Sequence, residues 1–262
     1  MTIRDNLRRA LAESKLLYEE SKHGDSDAKI NEIRTGDVIQ PIHEWCKREL
    51  VARGVASSRI QEDFKASGFF KTKQQDVSVL CGDRTCQLHR KLPPLSINVR
   101  SQFSSIQKNY DTLYERLIAE VLNLHLQDPL HVAGFFYVLP LWGYDQAAFK
   151  KRIVALTESY QRSKYLRSFS RADRREGPRD KEWKYERLCL ALADFSQDPP
   201  EMIIDRFPGG LPSELFPGTS EPEDTQCLRY EGFFDELLTA TKTRIKPSCV
   251  GAPDPQLRIG IT

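Results

Sequence analysis

The chain has 262 residues, of which 39% are apolar and 29% charged, with a formal net charge of +2. That length suits one large domain or two small ones, and so small a net charge names no partner by itself. No apolar run approaches the roughly 20 residues that a bilayer span needs, and Met1-Thr-Ile-Arg-Asp5 lacks the apolar core of a secretion signal. A cytoplasmic protein without membrane attachment is expected, and its six cysteines are then most simply free thiols.

Leu7, Leu11, Leu16, Leu17 and Tyr18 recur at helical spacing and predict a helix over residues 5–22. The polar stretch Lys22–Asp27 breaks it. A second helix is expected from about Asp37 to Ala52, with Ile39, Ile42, Cys46 and Leu50 on one side. Pro41 sits near its start, where a missing N–H is harmless, and Gly54 stops it. Two strands follow, one ending Gln74-Gln-Asp-Val-Ser-Val-Leu80 and one over Leu95–Gln102. In the second, Leu95, Ile97 and Val99 share one face, and Ser96, Asn98, Arg100 and Gln102 share the other. That polar face carries no Glu or Lys, which suits a site better than a solvated surface. Asp76 stands at the mouth of the same hairpin. The loop between the strands holds Cys81-x4-Cys86-x2-His89, three possible zinc ligands without an obvious fourth. A plain hairpin loop is the simpler reading.

The spacing of Ile106, Tyr110, Leu113, Leu117, Val121 and Leu124 predicts a long helix from about Ser104 to Leu126 with one core stripe. Glu115 falls opposite that stripe, whereas Glu120 falls on its flank, within about 60° of its centre. Asp128-Pro129 ends the helix. His131–Leu141 is apolar on both faces and predicts a central strand. A helix is expected over Asp145–Tyr165 with Asp145 as N-cap. Gln161–Arg187 holds ten Lys/Arg against five Asp/Glu and predicts a basic loop or mobile segment. Such a stretch is ordinarily a solvated face, and supports DNA binding only beside a cleft. Leu188–Asp194 reads as another buried strand, residues 198–226 as irregular, Tyr230–Thr243 as a closing helix, and the tail from Lys246 as loose. The sum is an α/β three-layer sandwich around a mixed β-sheet. It is expected to be a single domain over 1–262, with N-terminal helices over 1–60, a core over 70–195, and an irregular C-terminal segment over 198–262 holding one helix.

This order resembles the core of PD-(D/E)XK nucleases: helix, hairpin with Asp76 on one strand and Asn98-x-Arg100 on the next, helix, buried strand. The run Ser96-Ile-Asn-Val-Arg-Ser-Gln-Phe-Ser-Ser-Ile-Gln-Lys-Asn-Tyr-Asp-Thr-Leu-Tyr-Glu-Arg116 resembles the strand-to-helix passage of type II restriction endonucleases. Lys71-Thr-Lys-Gln-Gln-Asp-Val-Ser-Val79 resembles the strand carrying their first metal-binding Asp, and Tyr185–Asp194 is similar to a further core strand. The likeness spans about residues 36–195.

The resemblance implies a Mg²⁺-dependent, sequence-specific endonuclease acting on double-stranded DNA as a homodimer, by metal-assisted phosphodiester hydrolysis with in-line attack of water. Asp76 is then a Mg²⁺ ligand. Asn98 stands where the family usually has Glu or Asp, and offers only a neutral carbonyl to a hard cation. Arg100 stands where the family usually has Lys. It stays protonated and cannot act as a base, but it can hold a phosphate oxygen. A second carboxylate must come from elsewhere. Glu120 is the candidate, with Glu44 or Glu49 as substitutes. Gln102 would touch the phosphate or orient the water. Lys73, Lys108, Arg171, Arg174 and Arg175 are candidate DNA contacts, and Lys71, Arg84, Arg90 and Lys91 also bracket the hairpin. Each residue has an ordinary structural job too: Asp as a turn residue, Asn as a hydrogen-bond partner, Glu in a salt bridge. Two alternatives stay open, a catalytically decayed DNA-binding protein on the same fold and a zinc-stabilised interaction protein built on Cys81, Cys86 and His89.

Overall fold

The computed structural model describes residues 2–23, 36–82, 91–208, 210–217 and 223–245. In chain order it contains α1 (Ile3–His23), a 3-10 turn (Asp37–Ile39) running into α2 (Gln40–Ala52), β1 (Ile60–Ser67), β2 (Thr72–Val79), β3 (Leu95–Ser101) and α3 (Ile106–Gln127). There follow β4 (Val132–Pro140), β5 (Gly143–Tyr144), α4 (Gln146–Lys150), β6 (Leu156–Glu158), α5 (Arg162–Ala172), β7 (Arg187–Asp194), β8 (Glu201–Met202), α6 (Ile203–Arg206) and α7 (Phe233–Arg244).

Six strands form one mixed sheet in the order β1-β2-β3-β4-β7-β8. β1, β2 and β3 pair antiparallel, β3-β4 and β4-β7 parallel, and β8 returns antiparallel. Its centre is built from the two runs that are apolar on both faces. Every residue of β4 and β7 is buried, as parallel strands covered by helices require. Alternate side chains of β4 meet different layers. Phe136 packs on Trp45 of α2 at 4.9 Å and on Phe233 of α7 at 5.6 Å. Phe135 and Tyr137 turn to Phe169 of α5, at 6.3 and 5.3 Å. Helices therefore cover both faces of the sheet, the three-layer α/β arrangement expected.

α3 buries Ile106, Tyr110, Leu117, Val121 and Leu124, leaves Glu115 exposed and buries Glu120, as the helical geometry anticipates. Asp145 caps α4, accepting from the N–H groups of Ala147 and Ala148 at 2.7 and 3.3 Å.

Four expectations are corrected. Residues 198–226 are not wholly irregular, since β8 joins the main sheet at Ala193–Met202 and Asp194–Glu201 and α6 follows it. The ribbon has a third antiparallel strand, β1, where Gln-Glu-Asp at 61–63 and Lys65 hide the alternation of Ile60, Phe64 and Ala66. Charge of this kind belongs on a sheet's edge. The helix over Asp145–Tyr165 is instead the short α4, then β6 paired with β5. Arg152 takes φ 60° after α4, a left-handed turn that no helix continues through. The basic loop over Gln161–Arg187 begins with α5, which buries Tyr165, Leu166 and Phe169 while its cations face outward. The tail from Lys246 lies outside the described residues. Among the described residues no helix is long and apolar enough to cross a membrane.

Candidate functional site

β2 and β3 pair only at Val77–Ile97, Ser78–Ser96 and Val79–Leu95. Beyond Val77 the strands part, and side chains take over the bonding. Asn98 Oδ1 accepts from the Asp76 backbone N–H at 3.4 Å, and Asp76 Oδ2 accepts from the Val99 N–H at 2.8 Å. Buried N–H groups need partners, and here a carboxylate and an amide supply them. The β1-β2 ladder also skips the Asp63–Asp76 rung, where Asp63 takes φ 54°. A non-glycine residue in this region marks local strain.

Arg100 stands where the ribbon opens. Its Nη1 donates to both oxygens of Asp76, at 2.8 and 2.7 Å. The Asp76 side chain is 8% exposed and that of Arg100 42%. Glu120 arrives from α3 and is buried. Burial pushes its carboxyl above the ordinary carboxylate range. Arg100 and Lys73 pull it back, the Asp76 charge pushes it further up, and a bond from Gln75 opposes that. One guanidinium therefore lies within the field of two carboxylates.

Arg100 and Glu120 line a cleft of about 880 Å³ between β2, β3, β4 and α3, whose lining does not include Asp76. Four cationic side chains line it, Lys71, Lys73, Arg100 and Arg116, against one carboxylate, Glu120. Such an excess focuses positive potential into a concave, partly apolar space, a setting that attracts polyanions. Gln102 lines it as well. It accepts from the Tyr137 hydroxyl at 2.9 Å and donates to the Ser105 carbonyl at 2.9 Å, which fixes its amide.

Asn98 lies elsewhere. Its Nδ2 donates to Gln75 Oε1 at 3.0 Å, Ser96 Oγ donates to the same oxygen at 2.9 Å, and Ser96 also meets His131 Nε2 at 3.0 Å. These four residues form a buried polar ladder under α3. The absence of Glu and Lys from this face thus reflects a helix covering it, and Asn98 presents no oxygen to the cleft. Glu49 is held by Arg53 at 2.7 Å and Asn6 at 3.1 Å, and Glu44 pairs with Lys47, so neither substitutes for Glu120.

Of the candidate DNA contacts, Lys73 lines the cleft. Lys108 is exposed on the first turn of α3, outside the lining, and Arg171 is exposed on the last turn of α5. Arg174 donates to Glu236 at 3.2 Å and to Gln226 at 3.4 Å. Arg175 is corrected outright. Its side chain is buried and donates to Glu186 at 3.1 Å and to the Pro129 carbonyl at 3.0 Å, so it has no surface to offer DNA. Cys86 and His89, and with them the zinc arrangement, lie outside the described residues, as do Arg84 and Arg90. Sequence reasoning missed Arg116, Asn109 and Thr112 as cleft residues. Their signal was present: Asn109, Thr112, Arg116 and Glu120 step by three and four beside the apolar stripe.

No group of three or more His, Cys, Asp or Glu side chains gathers among the described residues. Mg²⁺ does not need one, since it commonly takes one or two carboxylates and completes its shell with water and phosphate. Asp76 and Glu120 are carboxylates of the type it takes, with both Asp76 oxygens held by Arg100 and one also by the Val99 N–H. The condition for binding is that Arg100 releases an Asp76 oxygen. Comparison with known protein families, curated proteins and solved structures finds no match to this chain.

Proposed function

We propose that this chain is a Mg²⁺-dependent endonuclease of the restriction-enzyme kind that hydrolyses phosphodiester bonds of double-stranded DNA. The observation that carries the reading is Arg100, which lines a cationic cleft together with Glu120 while its Nη1 holds Asp76. The succession from α2 through β1, β2 and β3 to α3 and β4, with Asp76 and Arg100 on adjacent strands, supports it.

Lys71, Lys73 and Arg116 hold backbone phosphates by charge, which gives affinity that falls steeply with salt. A bound phosphate competes for the Arg100 guanidinium, and Arg100 then stabilises charge building on the phosphoryl oxygen. Asp76 and Glu120 are freed to hold Mg²⁺, which when bound supplies Lewis-acid polarisation at the phosphorus. Gln102, its amide already fixed, orients the attacking water. Two copies of the cleft, one per DNA strand, make a homodimer the working unit.

The second reading is a DNA-binding protein that does not cut. The contact of Arg100 Nη1 with both Asp76 oxygens favours it, because it already neutralises the carboxylate a cation would need. Supercoiled plasmid separates the two. Nicking or linearisation with Mg²⁺, abolished by EDTA, is expected for the enzyme. A gel shift without cutting would establish the binder, and a protein that neither cuts nor shifts DNA would exclude both.

A further inference from the structure

The turn joining β1 to β2 carries two aromatic rings in water. Phe69 is 61% exposed and Phe70 67%. Their centroids lie 5.0 Å apart at an interplanar angle of 89°, so the rings brace each other edge to face. Single exposed apolar residues are common. A paired, braced set at the apex of a hairpin costs solvation and is not explained by the core.

The apex is also fastened. The buried Asn123 of α3 accepts from the N–H groups of Phe70 and Lys71 through Oδ1, at 2.7 and 3.2 Å, and donates from Nδ2 to the Lys71 carbonyl at 2.9 Å. Its own backbone carbonyl accepts from the Phe69 N–H at 2.9 Å. Gly68 makes this possible, because a Cβ there would fall inside the Asn123 carboxamide. Four hydrogen bonds therefore hold two apolar rings in solvent on a turn with no side chain at its first position. That is the construction of a rigid prow rather than a loose tip.

Its place names the partner. Lys71, next to Phe70, lines the cationic cleft, and Asn123 lies about one helical turn beyond Glu120. A polyanion seated on Lys71, Lys73 and Arg116 runs its backbone past the prow. We propose that Phe69 and Phe70 form a wedge that enters a base step of the duplex held in the cleft, unstacking it and bending the DNA. Apolar wedges at base steps act in this way. The inference rests on the DNA reading above, and extends it with residues outside the cleft.

The test uses the intact chain and a short mixed-sequence duplex carrying 2-aminopurine, moved along the duplex in successive probes. Binding is followed in parallel by gel shift. Wild type is expected to raise 2-aminopurine fluorescence at one or two adjacent positions. The Phe69→Ala/Phe70→Ala variant, altered only at exposed positions, is expected to lose that rise and to bind roughly tenfold or more weakly. Asn123→Ala, which keeps both rings but unfastens them, is expected to spread the rise over more positions. Shifted DNA with no rise anywhere overturns the wedge and leaves DNA binding standing. No shift at all overturns both. A rise with single-stranded probe only, or a double variant that changes oligomeric state while keeping the rise, also overturns it and assigns the rings another role.

Discussion

Two clusters of charge in this molecule use the same residue types to opposite ends. Under the C-terminal helix, Glu186 accepts from Arg175 and Arg244 through one oxygen and from the Ala133 N–H at 2.7 Å through the other, with His125 at 3.3 Å. Beside it Arg187 binds Asp173 at 2.5 Å and Glu236 at 3.1 Å. Apart from Glu236 these side chains are buried, and each charge meets an opposite one. Burial would lift the Glu186 carboxyl, but His125, Arg244 and the Ala133 N–H bring it down to about 2. Around Arg100 the balance differs. The guanidinium is partly open to water, and cations outnumber the lining carboxylate. Complete pairing away from solvent makes a strut. Incomplete pairing at an opening makes a place for something else to bind.

Breaking the strut gives the largest effect on stability. Glu186→Ala leaves Arg175 and Arg244 buried without their shared partner, and should cost about 3–5 kcal/mol in urea unfolding. A loss under about 1 kcal/mol, the range of exposed ion pairs, would show that the network does not hold the fold. Glu120→Gln should do the reverse: plasmid cutting falls by roughly 10²–10³-fold while the unfolding midpoint barely moves. A destabilised variant with normal specific activity would make Glu120 structural.

Lys71→Ala with Lys73→Ala sharpens the contrast at the level of binding. The slope of log affinity against log salt should flatten by about 2, close to one for each phosphate no longer neutralised. Arg174→Ala, whose cation already serves Glu236, should leave the slope unchanged, and an equal change in both variants would erase the distinction. The smallest expected effect is pH dependence. The folded-state carboxyl of Glu120 sits above its unfolded value, so its contribution to stability is full below the unfolded value and disappears as pH rises through the folded one. Asp173, lifted by burial to about 6 despite Arg187, behaves alike. Glu186 has the opposite sign, its contribution present above the ordinary Glu range and lost as pH falls towards about 2. Melting temperatures of Glu120→Gln minus wild type should therefore rise with pH, and a flat difference would mean that the buried carboxyl carries no penalty.

The sandwich was legible because its signals are periodic. β4 and β7 are apolar on both faces, and the α3 stripe fixes which way Glu120 turns. What escaped depends on partners distant in the chain. β1 carries charges that only an edge position excuses. The run Ser96, Asn98, Arg100 divides within four residues: the first two enter a ladder with Gln75 and His131, and the third enters the cleft. Alternation places all three on one face but does not say how far a helix covers it. Arg174 and Arg175 looked alike within a basic stretch, yet one is half exposed and the other buried, because Arg175 reaches the buried Glu186 just before β7. Phe69 and Phe70 resemble core residues until the hairpin places them at its apex.

The central claim is that Asp76 acts in cutting rather than in gripping. Asp76→Ala and wild type should be compared in one experiment, with supercoiled plasmid cleavage in Mg²⁺ beside a gel shift in its absence. The variant is predicted to shift DNA as wild type does and to leave the plasmid uncut. A variant that cuts at the wild-type rate, or a wild type that neither cuts nor shifts, contradicts that role.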